Sequence, residues 1–496
     1  MPPSHDARMI CRCSALALAL VLVATIMPAA AAAQARGQAQ ALSVLTEPRL
    51  VPDFDPKVRN YVTRCRPDGR VAVSVVAPRR SWVFVDGRWA PTSSTTTVRA
   101  TEGQRFAVTV VGPGWRWSTY HVRCLPLDFP TYAAQRTGRT QAQWYVVAPF
   151  GGAPPPGTST NYVAIFDNEG VPMWWYRAPY QPVDAKLLRD GSIGWLQYNE
   201  TEALQGGADV YRLDGTKVRH VDTVGGGADH HELLRLRNGN YLIARYPRQS
   251  GVDLTSCGGP VSGVIYDNEV QEITPGGALV WSWKASDHLS PGDISVRWRD
   301  TCTVATPADI YHFNSVEPDR GGYVLSMRHL DAVLRIDRRT GRIDWKLGGT
   351  QSPESLVPIG DAETAAGGLG GQHDARILPD GTLTVHDNGT RAAHPTRAVR
   401  YRLDLRARTA TLLEDVRDPD VPTTVCCGSA RRLSGGNWVM AWGGGPIVTE
   451  LTGAGAPVFR LTLGLFSYRA DPISFGVLSP AALRRGMDVM HPRHGP

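Results

Sequence analysis

The 496-residue sequence lacks several common signatures of function. It contains no Gly-x-Gly-x-x-Gly and no Gly-x-x-x-x-Gly-Lys loop, so nucleotide-dependent chemistry is not expected. It contains no Cys-x-x-Cys, the spacing typical of zinc sites and thioredoxin-like redox sites. Its charges are dispersed rather than gathered in a block, which speaks against binding to nucleic acid. Long helical patterns are scarce while glycine, proline and tryptophan are plentiful, which favours an all-β chain rich in turns.

The N-terminal residues predict a secretory signal peptide. Arg8 and Arg12 precede an apolar run over residues 14–27, and alanines follow it. Cleavage is expected near Ala33, which removes residues 1–33. The run is short for a membrane-spanning helix, although an uncleaved anchor is the alternative. We therefore expect an exported protein (periplasmic, cell-envelope or extracellular) with no stable membrane insertion after signal cleavage.

Six cysteines follow the predicted signal peptide, and an even number in an exported chain indicates disulfides. One pair is expected to brace the N-terminal domain and another to close a long insertion, Cys65 with Cys124 and Cys257 with Cys302. The adjacent residues Cys426 and Cys427 form either a strained vicinal disulfide or two unpaired buried thiols, and the sequence leaves both open.

Alternating apolar and polar residues over 42–130 predict short strands. The clearest segments are 71–76, 81–89 and 105–111, which Asp-Gly and Gly-Pro turns separate. We interpret this region as a small N-terminal β-sandwich domain. A linker is expected at residues 126–130.

From about residue 140 two sequence motifs alternate along the chain. The first is a hairpin with a turn glycine, and the second is an apolar–Asp–turn–Gly–aromatic pattern. The second motif recurs six times and the first five, with a degenerate sixth copy expected at Gln143–Pro149. Because two hairpins make a four-stranded blade, residues 140–480 are predicted to form a six-bladed β-propeller. Its third blade carries a long insertion that ends near Cys302.

Three histidines, His231, His312 and His373, open three successive copies of the first motif. The first strand of a propeller blade lines the central channel, so the repeated position brings the imidazoles together. The returning strand is antiparallel and places residues six or seven after the turn beside them. Arg328 has this position in the fourth blade, and Asn314 shares a strand face with His312. Equivalent positions in other blades are held by Tyr198, Tyr246 and Asn388.

This predicted cluster can donate many hydrogen bonds. The guanidinium of Arg328 is a permanently charged fork suited to a tetrahedral oxyanion, and the tyrosines can stack on an aromatic ring. A single strand histidine is usually structural, but propeller repetition favours a small or apolar residue at this position rather than three histidines. Three neighbours are expected to point to the opposite strand face or to lie in loops, namely His230, His329 and His386.

At these residues the chain resembles the bacterial arylsulfate sulfotransferase family. The similar stretches are His-His-Glu at 230–232, Asp-Ile-Tyr-His-Phe-Asn-Ser-Val at 309–316, Ser-Met-Arg-His-Leu at 326–330, Asp-Trp-Lys-Leu-Gly-Gly at 344–349, Gly-Gln-His-Asp at 371–374 and Asp-Asn-Gly at 387–389. The resemblance spans about residues 140–470. It implies an N-terminal β-domain followed by a six-bladed propeller.

The resemblance also implies a two-step reaction. A histidine takes a sulfuryl group from a phenyl sulfate and passes it to a second phenol, so aryl sulfates and phenols are the expected small-molecule partners. The family's Gly-Gln-His motif carries the nucleophile, which corresponds to His373. Neither a cofactor, a metal nor a nucleotide sulfate donor is implied. The other sulfate-binding positions correspond to His231, His312, Asn314 and Arg328. The chain departs from the family at Glu232, where the family has aspartate.

Two other functions compete with sulfuryl transfer. The three channel histidines suit a metal-dependent propeller enzyme, a lyase or hydrolase holding Zn, Mn or Cu. Arg328 argues against that reading because a fixed positive charge repels a cation, and no channel carboxylate is evident from the repeat pattern. A non-catalytic exported propeller that binds glycans or another protein is the second alternative. It explains the clustered histidines poorly.

Overall fold

A computed structural model describes residues 41–150, 157, 159, 161–198, 206–366, 368–392 and 394–493. Strands make up nearly all of the regular structure in these residues, and the helices are few and short. The predicted all-β class is therefore confirmed. None of the helices in these ranges is long and apolar enough to cross a bilayer. The predicted signal peptide at residues 1–33 lies outside the described residues.

The N-terminal region forms two sheets around one hydrophobic core. Its strands are β1 (Ser43–Glu47), β2 (Leu50–Val51), β3 (Asn60–Arg64), β4 (Arg70–Val76), β5 (Trp82–Val85), β6 (Arg88–Ala90), β7 (Ser93–Arg99), β8 (Arg105–Gly112) and β9 (Arg116–Leu125). The strand orders are β1-β4-β7 and β2-β3-β9-β8-β5-β6. Every second residue of β4 is a buried valine, as expected for strands with one face in a core. The predicted Cys65–Cys124 disulfide is present.

The first strand after residue 130 joins a sheet that is otherwise formed much later in the chain. The next three strands belong to a unit that a strand near the C-terminus completes. They are β10 (Tyr132–Arg136), β11 (Ala142–Phe150), β12 (Tyr162–Asp167) and β13 (Pro172–Arg177). The next unit consists of β14 (Gln181–Leu187), β15 (Ile193–Tyr198), β16 (Ala208–Tyr211) and β17 (Lys217–Val221). Consecutive strands of this unit pair antiparallel, which is the arrangement that two successive hairpins produce.

The third unit contains the predicted insertion. Its strands are β18 (Leu233–Arg235), β19 (Tyr241–Arg245), β22 (Glu269–Ile273) and β23 (Leu279–Lys284), and the separate hairpin β20 (Arg248–Val252) and β21 (Gly263–Tyr266) lies between β19 and β22. After β23 come three short 3-10 helices, Ala285–Asp287, Pro291–Asp293 and Val296–Trp298, and helix α1 (Thr301–Val304). The predicted Cys257–Cys302 disulfide ties α1 to the hairpin loop.

Three further units and the closing strand complete the chain. They contain β24 (Phe313–Asp319), β25 (Gly322–Met327), β26 (Ala332–Asp337) and β27 (Ile343–Gly348); β29 (His373–Ile377), β30 (Leu383–Asp387), β31 (Arg397–Asp404) and β32 (Thr409–Val416); and β33 (Ser429–Arg432), β34 (Trp438–Ala441), β35 (Ile447–Leu451) and β36 (Pro457–Leu463). Strand β28 (Ser355–Ile359) bridges β27 and β32 in parallel pairings. The remaining elements are helices α2 (Ala362–Ala365) and α3 (Pro480–Met490), the 3-10 turn Arg328–Leu330 and strand β37 (Phe466–Ser474).

The first unit is assembled from both ends of this region. Strand β37 pairs antiparallel with β11, which pairs in turn with β12. The degenerate copy of the first motif expected at Gln143–Pro149 does not form a hairpin of its own, because these residues supply one strand that pairs with β37, more than 300 residues later. A repeat pattern read along the chain cannot register a strand that is contributed from the other end.

The first strands of the six units converge on a buried ionic cluster centred on Arg469 in β37. Its guanidinium lies 2.7 Å from Asp184 in β14 and 3.1 Å from Glu232 beside β18. It also donates to the backbone oxygen of Asn314 in β24 and lies 3.5 Å from Asp374 in β29. The side chains of Arg469, Asp184, Glu232 and Asp374 are all buried. Asp374 continues the cluster to the sixth unit through Arg431 and also pairs with Arg376 of its own strand.

Replacing Arg469 with methionine should strongly destabilise the fold. The substitution leaves Asp184, Glu232 and Asp374 without their shared counter-charge, and breaking a buried ion pair costs about 3–5 kcal/mol. Denaturant unfolding should therefore show a lowered midpoint. The matched control Arg406→Met removes an exposed arginine and should change stability by less than about 0.5 kcal/mol. Equal midpoints for Arg469→Met and the parent protein would show that the cluster does not hold the units together.

Candidate active site

The three repeated histidines lie at the beginnings of the first strands of three successive units. His373 is the first residue of β29, while His312 and His231 lie one and two residues before β24 and β18. The rings of His231 and His312 have their centroids 5.0 Å apart. The backbone oxygen of His312 accepts a hydrogen bond of 2.8 Å from the Arg328 N–H, which places the guanidinium-bearing residue beside the histidines.

Two aspartates hold the imidazoles of His231 and His312. The Nδ1 atom of His231 lies 2.8 Å from both carboxylate oxygens of Asp229. The Nδ1 atom of His312 is hydrogen-bonded to the carboxylate of Asp309. Carboxylates therefore lie beside two of the repeated histidines, although none is evident there from the repeat pattern. Both aspartates sit in loop residues just before a strand, where the two-residue alternation of strands gives no guide to side-chain direction.

His373 is held in one tautomer. Its Nδ1 atom lies 2.8 Å from the Asn388 side-chain oxygen and 3.0 Å from the backbone oxygen of Gly371, both of which can only accept. Nδ1 therefore carries the proton, and Nε2 keeps its lone pair. That lone pair accepts a hydrogen bond of 3.1 Å from the Cys427 backbone N–H. Asn388 in turn donates to the Cys427 oxygen at 3.0 Å, so one carboxamide fixes both the imidazole and the loop over it.

The guanidinium of Arg328 is supported by the insertion of the third unit. It lies 4.2 Å from the ring centroid of Trp298, a cation–π contact. It donates to the Val425 backbone oxygen at 2.8 Å and to Nε2 of His329 at 2.7 Å. Its Nε atom is buried without a hydrogen-bond partner among the described residues. A buried unpaired donor on a charged group is a site for an anion's oxygen. No pattern in the sequence predicts that Trp298 contacts Arg328.

The other predicted residues of the site, Tyr246, Tyr198 and Asn314, differ in burial and in the groups that they contact. Tyr246 is buried, stacks on His231 at 5.6 Å and donates its hydroxyl to the Phe313 backbone oxygen. Tyr198 lies at the rim, 5.1 Å from the ring of His230. Asn314 is fully buried and donates to the backbone oxygen of Gln372 at 2.8 Å. It therefore braces the residue before His373.

The structure also brings in residues that the alternation pattern places elsewhere. His230 stacks on His231 at 4.3 Å, and His329 lies 4.5 Å from His312. Both lie outside strands, which is one of the two placements expected for them, because His230 precedes its strand and His329 lies in a 3-10 turn. Their rings nevertheless contact the repeated histidines. Tyr468 from the closing strand lies 5.8 Å from His231. His386 sits behind His373 as its pairing partner and is fully buried.

The adjacent cysteines lie in the loop over His373. Cys426 and Cys427 are free thiols whose sulfur atoms are 2.6 Å apart, so of the two predicted states the structure has the dithiol. The thiol of Cys427 donates to the sulfur of Cys426, which lowers the pKa of Cys426. Cys427 has a φ of 63°, a conformation that side-chain-bearing residues rarely adopt, so the loop is tightly specified at this residue.

A sequence model of one protein family, described as Arylsulfotransferase (ASST), matches residues 206–464, more than half of the chain. The chain belongs to the arylsulfotransferase family. The matched region contains the three repeated histidines, Arg328 and the cysteine loop. No curated protein matches the chain.

Solved structures similar to this arylsulfotransferase are distant. A Bacteroides caccae protein of unknown function is 14% identical over 67% of this chain and 99% of its own, with a TM-score of 0.42. The Cps50 (Swd1) β-propeller domain of Myceliophteria thermophila is 13% identical over 66% and 87%, with a TM-score of 0.35. Hydrazine synthase of Kuenenia stuttgartiensis is 12% identical over 59% and 71%, with a TM-score of 0.34. None of these identities allows an activity to be transferred.

Burial and Arg328 keep two imidazoles of the candidate site neutral. Burial first, and then the nearby guanidinium, hold the pKa values of His312 and His373 well below 6.5. Burial likewise lowers the pKa of His329 to about 3, although Asp309 opposes it. A buried imidazole that stays unprotonated at neutral pH keeps a nitrogen lone pair available for attack or for proton transfer.

Two groups of side chains in the described region of the arylsulfotransferase have the composition of a cation site. Asp229, His230 and His231 form one, and Asp309, His312 and His329 form the other. Each group brings three ligand atoms within 4.8 Å of one another. The second group contacts the Arg328 guanidinium through His329, and a positive charge there weakens cation binding.

We expect His312 and His373 to show no titration near pH 6.5. Their pKa values are lowered, so protonation should begin only well below that pH, and neither ring should change charge between about pH 6 and 8. Side-chain nitrogen NMR of 15N-histidine-labelled protein measures this, with His312→Gln and His373→Gln assigning the signals. Arg328→Gln should raise both pKa values because one opposing charge is removed. A His373 midpoint near 6.5 in the parent protein would contradict the buried arrangement.

Proposed function

We propose that the chain is an arylsulfate sulfotransferase that moves a sulfuryl group from an aryl sulfate to a phenol through a sulfohistidine at His373. The observation that carries the proposal is the single tautomer of His373. Asn388 and Gly371 hold its Nδ1 proton, and the unprotonated Nε2 faces the loop beside Arg328. A neutral imidazole nitrogen is a nucleophile, and orientation by a hydrogen-bonded neighbour is the usual way to activate one.

The six four-stranded units are the proposed blades of a propeller spanning residues 140–480, and the two N-terminal sheets are the proposed β-sandwich of residues 42–130. Contacts between the first strands support the ring, since β37 contacts β14 and β33, and β29 contacts β24 and β33. The unit made of β37 and β11–β13 supports closure of the ring, because it pairs strands from the two ends of this region of the sequence. In that arrangement the histidines open onto the central channel.

In the first step Nε2 of His373 forms a bond to sulfur while the bond from sulfur to the aryl oxygen breaks. The electron pair leaves with the aryl oxygen, which needs a proton because a phenol has a pKa of about 10. His231 is the proposed acid, since its Nδ1 is hydrogen-bonded to the Asp229 carboxylate, which orients the ring. In the second step the acceptor oxygen attacks the sulfur as the bond from sulfur to Nε2 of His373 breaks. The electron pair of that bond returns to Nε2, and the proton of the acceptor phenol passes to His231. His312, with its low pKa, stays neutral.

Arg328 is the proposed anchor for the sulfuryl oxygens. The contact with Trp298 fixes the position of the guanidinium. Its Nε has no hydrogen-bond partner among the described residues and so can donate to a sulfuryl oxygen. Fixed donors aimed at developing negative charge usually give the largest single contribution to catalysis. Before His373 can attack, the hydrogen bond from the Cys427 N–H to Nε2 of His373 must break. Tyr198 and Tyr246 are the proposed aromatic neighbours of the substrate ring.

Export is part of the proposal. Both disulfides are of the kind that persists in oxidising compartments outside the cytosol. The proposed substrates are small aryl sulfates and phenols, with no nucleotide and no nucleic acid. A metal-dependent enzyme built on the aspartate–histidine groups is the second candidate, because those groups provide ligand atoms at suitable spacing.

Incubation with 4-nitrophenyl sulfate, with and without phenol, tests the proposed activity. Nitrophenol release should rise with phenol concentration, because the acceptor discharges the sulfo-enzyme. His373→Asn should lower the rate by several orders of magnitude, since a covalent nucleophile is lost. His220→Asn, which removes a half-exposed histidine bonded to Asp209, is the matched control and should keep the parent rate.

Chelation separates the two candidate functions in the same assay. The sulfotransferase should keep its full rate after exhaustive treatment with EDTA. Loss of turnover that Zn or Mn restores would support the metal-dependent enzyme instead. Release of free sulfate without any dependence on phenol would identify a sulfatase, and a His373→Asn rate within about tenfold of the parent would remove the proposed nucleophile.

A further inference from the structure

Four tryptophans of the N-terminal sheets are exposed, although tryptophan is highly buried on average. Trp82, Trp89, Trp115 and Trp117 are 57%, 63%, 75% and 64% exposed. They come from β5, β6 and the turn and strand that follow β8. Large exposed apolar groups that gather in one place mark an interaction surface rather than a random feature of the exterior.

Strand register places three of these indoles on one face. Trp82 is aligned with Val111, which is aligned in turn with Trp117. Trp89 is aligned with Phe84, two residues after Trp82 and so on the same face. Because neighbouring strands lie about 4.8 Å apart, Trp82 and Trp117 stand about 10 Å apart. The valine between them is only 2% exposed although it lies on the open face.

The same sheet face is covered at its other end. Arg105 and Arg123 are aligned with each other, and each lies six residues along its strand from the row that contains Trp82 and Trp117. Both pair with Asp488 of helix α3, at 2.8 and 2.7 Å. The C-terminal helix thus occupies one half of the face. The tryptophan half has no covering element among the described residues, and Trp115 projects beyond it in the turn between β8 and β9.

Positive charge surrounds the tryptophans. Arg79, Arg80 and Arg116 are exposed and adjoin Trp82 and Trp117 in sequence. The carboxylates between residues 78 and 117 are ion-paired with arginines from other parts of the chain and so do not offset this charge. The end of the sheet therefore combines indoles with guanidiniums that form no ion pair within the described residues, which is complementary to an anionic apolar partner.

We propose that this indole face, formed by Trp82, Trp89, Trp115 and Trp117 with Arg79, Arg80 and Arg116, docks on a membrane surface that contains anionic phospholipids. Indoles favour the interface between bilayer and water, where an apolar ring and a polar N–H are both accommodated. Arginines beside them gain from the negative surface potential of anionic lipids. Docking of this kind is peripheral and needs no spanning segment.

The shape and polarity of the face favour a lipid surface over a soluble ligand. Small-molecule sites are concave and carry a few placed polar groups that fix orientation. Here the most exposed indole, Trp115, lies in the turn between β8 and β9. The other side chains aligned with the tryptophans on this face are Phe84, Thr109, Val111 and Thr119, with no carboxylate or carboxamide among them. An exposed aromatic and basic end suits insertion into a plane of headgroups.

Vesicle sedimentation tests the proposal with the chain from residue 34 onward, which contains every described residue and omits the N-terminal apolar run. The protein should sediment with vesicles of phosphatidylcholine containing about one third phosphatidylglycerol, and much less with phosphatidylcholine alone. Added salt should weaken binding. Trp115→Ser/Trp117→Ser and Arg79→Gln/Arg80→Gln should each lower the partition coefficient about tenfold or more.

The matched control is Phe475→Ser/Val477→Ser, which removes two exposed apolar side chains from a loop outside the face and should leave binding unchanged. Unfolding temperatures equal to that of the parent protein verify that each variant is folded. Absence of sedimentation with anionic vesicles, or parent-level binding by either the tryptophan or the arginine variant, contradicts the proposal. Retention by a soluble acidic polysaccharide such as alginate, without vesicle binding, would assign the face to a glycan instead.

Discussion

The buried guanidinium of Arg469 is the contact on which the candidate site depends. It comes from the closing strand and reaches side chains or backbone of four other units, so the first strands are tied to one another at a single place. The carboxylate of Glu232 also pairs with Lys186 and Arg376. Although burial opposes ionisation, these cations hold the pKa of Glu232 well below its usual range. A cluster of this kind fixes geometry even where it adds little net stability.

The site lies directly beside that cluster along the chain. His373 precedes Asp374, and His231 precedes Glu232, so each catalytic candidate is one residue from a group that the ionic cluster anchors. A register shift between His373 and Arg376, with Asp374 at a φ of 54°, lets consecutive side chains take different directions. Bulges commonly re-aim side chains next to active sites. The ionic cluster and the imidazole cluster are thus two consequences of one strand geometry.

Sequence repetition predicts the parts of this arrangement that repeat. The strands and the gathering of His231 with His312 follow from periodic positions in one chain direction. The two disulfides follow instead from an even number of cysteines in a chain expected to be exported. Residues supplied by loops or by distant segments do not repeat, and Asp229, Asp309 and Trp298 could not be found in that way. The closing strand with Tyr468 is missed for the same reason, because its partner strand lies at the other end of the array. Alternation also fails for His329, which lies in a 3-10 turn.

The central claim is that His373 carries the sulfuryl group between donor and acceptor. Mass spectrometry of the protein after brief exposure to an aryl sulfate without acceptor tests it most directly. We expect one added sulfuryl group on the peptide that contains His373. This group should be labile to acid and should be lost when phenol is supplied. An unmodified His373 peptide in protein that still turns over donor, or a sulfuryl group on another residue, would contradict it.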